Sequence, residues 1–530
     1  MMNKMWLKRT VAAAVFGIFA AQAMTGDAHA QTFRWAFQGE NITMDPHSTT
    51  EFTTVGFLSN IYEGLVRRDR EMQIEPALAA EWTLESPTVW RFKLRENVKF
   101  HDGSPFTADD VIFSYERSLK DGSDVKPRIQ SIKEIRKIGD HEIEIETNAP
   151  NPILLSELAD WFILSKVWSE ANNADAPADV RKGGENAATH SANGTGPFKL
   201  TQRQRDERTV LTANADWWDE PEFNIQEAIF SPVSNNATRV AALLSGNVDM
   251  IYPVPSQDIP RLEQTPDFEL LKGPESRVVF LGFDVARDEL LHSSVKGANP
   301  FKDQRVRQAV HHAIDVEAIK SRIMRDASFP TGTLIAPSVT GYDESLNQRL
   351  PYDLEKAKAL MAEAGYADGF SLTMDCPNDR YVNDEAICQA VAAMLARLNI
   401  KVDLQAQTRS LFFKKVLERD TSFYLHAWAT STNDGHNILY DLLNTPSPEK
   451  GTWNLNGYSN PKVDELTAQV AGEMDAEVRK KLLVEAFDLV RQDEAHVPLH
   501  QQMLVWAKRK NIDLHQRPDD RLELRYVNVN

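Results

Sequence analysis

DLEKAKALMAEAGYADGFSLTMDCPNDRYVNDEAICQAVAAMLARLNIKVDLQAQTRSLFFKKVLERDTSFYLHAW, residues 353–428, switches repeatedly between helical and extended patterns. Asp353 stands as an N-cap before Leu354, Ala357, Leu360, Met361 and Ala364, which recur at helical spacing, and Gly365 supplies a stop. Residues 370–374 read as a strand, 384–398 as a helix with Ile387, Val391, Met394 and Leu395 on one side, and 400–404 as a second strand. A helix over 410–418 and a strand over 423–428 follow. Strands alternating with helices predict βαβ units and a parallel sheet covered on both faces.

In open parallel sheets ligands bind beyond the carboxyl ends of the strands. Two loops leave such ends, Cys376-Pro377-Asn378-Asp379-Arg380-Tyr381 and the stretch from Trp428 through Ser431, Thr432, Asn433 and Asp434 to Gly435. Both are polar and each carries an aromatic, which makes them the candidate binding loops.

Working toward the amino terminus, Trp90, Phe92 and Leu94 alternate with Arg91 and Lys93 as in a half-buried strand. His101-Asp102-Gly103-Ser104-Pro105 reads as a turn, and Thr107-Ala108-Asp109-Asp110 as the cap of a helix carrying Val111, Ile112, Tyr115 and Leu119. Gly194-Thr195-Gly196 reads as a turn before Phe198-Lys199-Leu200, since the third glycine of a dinucleotide fingerprint is missing. The chain opens with Lys4, Lys8 and Arg9, an apolar stretch over 11–21, and Ala28-His29-Ala30, the layout of a cleavable secretory signal. The apolar run is shorter than the roughly 20 residues that span a bilayer, so residues 1–30 are expected to be removed and the protein to be released into the periplasm.

With 530 residues the chain has material for two or more domains, and a net charge of −18 argues against nucleic-acid or anionic-membrane partners. Cys376 and Cys388 are the two cysteines, and in an oxidising compartment they are expected to pair; buried free thiols are the alternative. No nucleophile elbow, zinc helix or phosphate loop is present, so no catalytic residue, metal or cofactor is expected. His311 and His312 are neighbours on a predicted helix and point apart, and Asp434 with His436 is a weaker metal candidate than a hydrogen-bonded loop.

Motifs spread over the whole chain past residue 30 carry a family resemblance: Tyr62-Glu63-Gly64-Leu65, Pro76-Ala77-Leu78-Ala79 with Glu81-Trp82, Val98-Lys99-Phe100-His101-Asp102-Gly103, Phe106-Thr107-Ala108-Asp109-Asp110-Val111, Gly194-Thr195-Gly196-Pro197-Phe198 and Val306-Arg307-Gln308-Ala309. In this order the sequence resembles the extracellular solute-binding proteins of family 5, the dipeptide-, oligopeptide- and nickel-binding proteins of ABC transporters. The resemblance implies an α/β fold of the class II periplasmic binding protein type, two lobes joined by a two-strand hinge, the larger lobe with an extra subdomain. The crossings are expected near 278–283 and 497–505. One lobe would then comprise 31–280 plus 505–530, with the extra subdomain roughly at 71–194, and the other 281–504.

By the same resemblance Arg380 matches an arginine that receives a ligand carboxylate, a role suited to its planar guanidinium, and Trp428 matches an aromatic that packs against ligand. Ser431 stands where relatives usually place an aspartate for the peptide amino group, and a neutral hydroxyl lacks that charge. Asp434 could compensate. The implied function is capture of a peptide or peptide-like solute by a monomeric protein that hands it to ABC permease subunits. A nickel chelate, opine or sugar ligand is the alternative, and an enzyme or chaperone on this scaffold a third reading.

Overall fold

The computed structural model describes residues 31–530, so the expected leader lies outside the described residues. Asp353 caps the helix Leu354–Glu363 by accepting a hydrogen bond from Lys356 N, and Gly365 follows in the left-handed region at φ +83°. The strand Ser371–Pro377 lies parallel to both Lys401–Gln407 and Phe423–Trp428, with helices Asp384–Leu395 and Arg409–Leu417 as the crossovers. Ile387, Val391 and Leu395 bury against Leu372, Met374, Phe423 and Leu425 in a common core; each such side chain contributes about 1.5–3 kcal/mol.

The strands of the 353–428 run are parallel as expected, and the larger sheet that they join is mixed. Phe423–Trp428 pairs antiparallel with Phe268–Phe283, and that strand pairs antiparallel with His496–Arg509. A chain that crosses outward and later returns beside its own crossing must lie antiparallel to it. These strands of 16 and 14 residues carry one 11-stranded sheet to its other end, through Met250–Tyr252, Thr32–Phe37 and Glu227–Pro232 to Arg208–Ala213 and Phe198–Gln204. Separate cores flank the long pair: Phe283, Phe301, Val310 and Leu372 on one side, and Phe33, Trp35, Phe57, Phe230 and Trp506 on the other.

A second, four-stranded antiparallel sheet is made of Ala79–Ser86, Val89–Leu94, Glu142–Thr147 and Ile132–Gly139. Its helix Ala108–Leu119 starts at Thr107 in a capping box closed by Asp110. Arg117 on that helix makes a fully buried two-pronged bond to Asp45, at 3.0 and 2.6 Å. The Gly194-Thr195-Gly196 turn precedes Phe198–Gln204 as read, and glycine is required there because a Cβ on Gly194 would sit 2.0 Å from the Ile61 carbonyl oxygen.

The long strands pair regularly except at two register shifts. At the first, Pro274 faces Met503 and Val278 faces Gln501, so Glu275, Ser276 and Arg277 are extruded from the ladder. A bulge bends its strand and re-aims side chains, and this one lies where the two cores meet.

Cys376, on the strand Ser371–Pro377, is bonded to Cys388 on the following helix, with 6.5 Å between the Cα atoms and 12 residues of separation. The bridge closes the candidate loop 378–381 at its base. Loop-closure entropy for so short a ring is worth about 3 kcal/mol. Replacing both cysteines with alanine is therefore expected to lower the unfolding free energy by about that amount in urea titration.

Candidate functional site

The loop after Ser371–Pro377 is fixed from its far side. The Asp384 carboxylate accepts from Arg380 N at 2.9 Å and Tyr381 N at 3.0 Å, and Asn383 turns the chain in the left-handed region at φ +57°. The Tyr381 hydroxyl accepts from Ala427 N at 3.2 Å, leaving its proton for His426 Nδ1 at 3.0 Å. Burial, then the charges of Arg380 and Arg277, lower the His426 pKa to about 3, so the ring is neutral.

Arg380 is exposed, and among the described residues no carboxylate pairs with its guanidinium; its one side-chain partner is the Tyr381 ring, 5.3 Å away. Enough protein surrounds the group that burial is nevertheless the first cause lowering its pKa, followed by Arg277.

Trp428 sits in an aromatic wall with Phe413, Trp453 and His426. Trp428 and Trp453 meet at 5.5 Å, and Trp453 stacks on His426 at 5.9 Å. Trp428, Phe413 and Trp453 are half-buried, and the Trp428 indole donates to Asn437 Oδ1 at 3.2 Å, which sets the ring's orientation.

The second loop divides by role. Ser431 is exposed. Thr432 O accepts from Arg68 Nη2 at 3.0 Å, a bond between the second loop and the amino-terminal part of the chain. Asn433, at φ +56°, donates to Ser338 O at 3.0 Å. Asp434 is buried, with both oxygens 2.7 Å from the Arg479 guanidinium, and it also caps the short helix Gly435–Ile438. Its charge is thus taken up inside the fold. His311 and His312 bond separately, to Glu494 and to Pro351 O, and among the described residues no group of three or more His, Cys, Asp or Glu could hold a metal ion.

The hinge bulge faces the same region. Gln502 joins the two, accepting from Val382 N at 3.0 Å and donating to Glu275 Oε2 at 2.8 Å, while Arg277 Nε donates to Glu275 Oε1 at 2.8 Å. Ser276 N reaches the Pro518 carbonyl at 2.9 Å, tying the bulge to the segment 517–521.

The model of bacterial extracellular solute-binding proteins, family 5, matches residues 73–449, more than half of the chain. The chain belongs to this family. A glutathione-binding protein, GsiB of Escherichia coli O157:H7, is 26% identical over 484 residues, covering 89% of this chain and 90% of that protein. HbpA2 from Haemophilus parasuis superposes with TM-score 0.80 at 24% identity over 94% of this chain and 100% of its own. A dipeptide-binding protein from Pseudoalteromonas sp. SM9913, solved with Met-Leu, superposes at 0.74 with 22% identity, covering 94% and 100%. In this solute-binding protein no helix among the described residues is long and apolar enough to cross a membrane.

Sequence reasoning missed Glu275, Arg277, His426, Phe413 and Trp453, and it placed Tyr381 in a candidate loop without its bond to His426. The bulge has no local signature beyond charged residues inside an apolar strand, Glu275 and Arg277 before Val278 and Val279, and that interruption was the available signal.

A cavity of about 40 Å³ lined by Glu63, Arg67, Arg517, Arg521 and Arg525 is a poor rival site. It has room for about three water molecules, too little for a peptide. Four of its cations are ion-paired, Arg517 with Asp519 and Glu523, Arg521 with Asp160, Arg525 with Glu75 and Glu523, and Arg67 with Glu75 and Asp219, and Arg68 is held by the Ser156 and Thr432 carbonyls.

Asp520 lies beside the bulge and accepts from the Trp506 indole at 2.7 Å. Burial first, then the charge of Glu275, pushes its carboxyl up to about 8, with Asp519 adding to this and Arg277 opposing it. The folded protein therefore keeps a proton that the unfolded chain releases near its ordinary value of about 4. Stability from this group is complete below about pH 4 and is lost as pH rises toward about 8. Asp520→Asn is expected to gain on the native protein between about pH 5 and pH 9 in thermal melts; parallel profiles would contradict the assignment.

Proposed function

We propose that this protein captures a peptide-like solute between its two lobes and delivers it to the permease of an ABC importer, working as a periplasmic monomer without chemical turnover. The observation that carries this reading is Arg380: an exposed guanidinium with no carboxylate partner among the described residues, on a loop held by Asp384 and a disulfide. A cation so placed is poised for two parallel bonds to a carboxylate. Trp428, Phe413 and Trp453 beside it offer half-buried surface for an apolar portion. The names of relatives, a glutathione-binding and a dipeptide-binding protein, agree with a peptide-like ligand.

The lobes in this reading are 31–280 with 505–530, carrying the subdomain near 71–194, and 281–504. Ser431, Thr432 and Asn433 border the solute, and Asp434 positions them through Arg479. With Ser431 neutral and Asp434 already paired, an opine-like or amino-blocked ligand is the second reading. Native mass spectrometry of the protein purified from its source, followed by titration calorimetry with dipeptides, glutathione and blocked peptides, tests both. Peptide-like mass and a peptide Kd support the first reading; chemical conversion of the bound solute would overturn it.

A further inference from the structure

We infer that the solute carries two carboxylates, one held by Arg380 and the second by Arg277 of the hinge bulge. The inference rests on the peptide-like reading above and adds the ligand's charge.

The physical reason is a group of arginines whose guanidiniums are only partly paired: Arg277 holds Glu275 at Nε, and Arg380 and Arg409 have no carboxylate on theirs among the described residues. Arg277, Arg380 and Arg409 act on one another or on shared neighbours: Arg380 feels both Arg277 and Arg409, and Tyr381 and His426 feel both Arg277 and Arg380. Glu275 accepts from Arg277 Nε and from the Gln502 amide, whereas Asp384 and Asp379 accept from the backbone N–H groups of Arg380 and Arg409 and leave those two guanidiniums without a carboxylate among the described residues. The terminal nitrogens of Arg277 have no hydrogen-bond partner among the described residues, though the side chain is half-buried. Arg409 is exposed and its guanidinium has no carboxylate partner among the described residues. Asp520, the other acid near Arg277, is engaged by the Trp506 indole. Elsewhere this protein neutralises crowded arginines residue by residue, as in the network of Arg517, Arg521 and Arg525. Guanidinium groups that outnumber the carboxylates paired with them repel, and the repulsion is relieved when an anion bridges them.

The bulge gives this arrangement its geometry. The bulge takes Glu275, Ser276 and Arg277 out of the ladder, and Gln502, bonded to both Glu275 and Val382 N, fastens the Glu275–Arg277 pair to the Arg380 loop. Arg277 is on the hinge strand Phe268–Phe283 and Arg380 on the loop after Ser371–Pro377, two strands away across Phe423–Trp428, so a ligand holding both spans hinge and lobe. Suitable solutes are acidic dipeptides, γ-glutamyl peptides and peptide-like dicarboxylates.

Calorimetry with matched pairs, Ala-Glu against Ala-Gln and γ-Glu-Ala against its α-amide, tests this at low and high salt. At least one diacid is expected to bind tenfold or more tightly than its amide partner, with the difference shrinking as salt rises. Arg277→Gln is expected to abolish the preference while the amides keep their affinity within about twofold, and Arg277→Lys to retain part of it. The preference in the native protein is itself decisive, so a poorly folding variant does not spare the inference. Peptide binding without preference for a diacid overturns this inference and leaves the peptide reading standing; failure of every peptide to bind overturns both.

Discussion

Arg380→Gln is expected to weaken binding of a carboxylate-bearing ligand by at least tenfold and to leave the thermal midpoint of the ligand-free protein nearly unchanged. The two halves of this expectation have one cause. In the free protein the guanidinium has no carboxylate partner among the described residues, only the Tyr381 ring at 5.3 Å, so its removal forfeits an exposed cation–aromatic contact of about 0.5–1 kcal/mol at most. The backbone of the loop stays in place, because Asp384 holds Arg380 N and Tyr381 N rather than the side chain. In the complex the loss is a charge-assisted bond in a site from which closure removes water, where one such bond exceeds the roughly 1.4 kcal/mol that corresponds to tenfold. Calorimetry and scanning calorimetry on the same preparation separate the two effects. Unaltered affinity would remove Arg380 from the site, and a large fall in midpoint would make it a structural residue.

How far the fold could be read ahead depended on whether a feature was local. The helix after Asp353, the helix after Thr107 and the parallel strands around Ser371–Pro377 were legible because caps, stops and periodicity are written within a dozen residues. The disulfide followed from there being two cysteines and one pairing. The antiparallel middle of the sheet was not legible, since the pairing of Phe280 with Pro498 joins segments more than two hundred residues apart. The site divides in the same way. Arg380 lies on the loop that leaves one parallel strand and Trp428 is the last residue of another, a placement that topology alone flags. Arg277 enters only through a register shift, and Trp453 only through a ring contact with His426. A sequence shows which residues a loop offers, and the packing behind the loop decides which of them remain available.

Asp434 shows that division most clearly, and its replacement is expected to have the largest effect on stability. Read along the chain it is an acid in a binding loop, a substitute for the charge that Ser431 lacks. In the fold both of its oxygens are bonded to Arg479 at 2.7 Å, both residues are buried, and Arg479 also donates to Val470 O from Nε. Asp434→Ala strands a buried guanidinium and removes the helix cap on His436 N; breaking one side of such a pair costs about 3–5 kcal/mol. Removing both partners, as in Asp434→Leu with Arg479→Leu, is expected to recover much of that loss, because no uncompensated charge is left inside. Urea titration of the two single variants and the double variant reads the coupling directly. Ligand affinity of the folded Asp434→Ala protein reports a separate quantity, the value of holding Ser431 and Thr432 in register. Were the single variant as stable as the native protein yet unable to bind, Asp434 would face the ligand after all and the missing ammonium partner would be found.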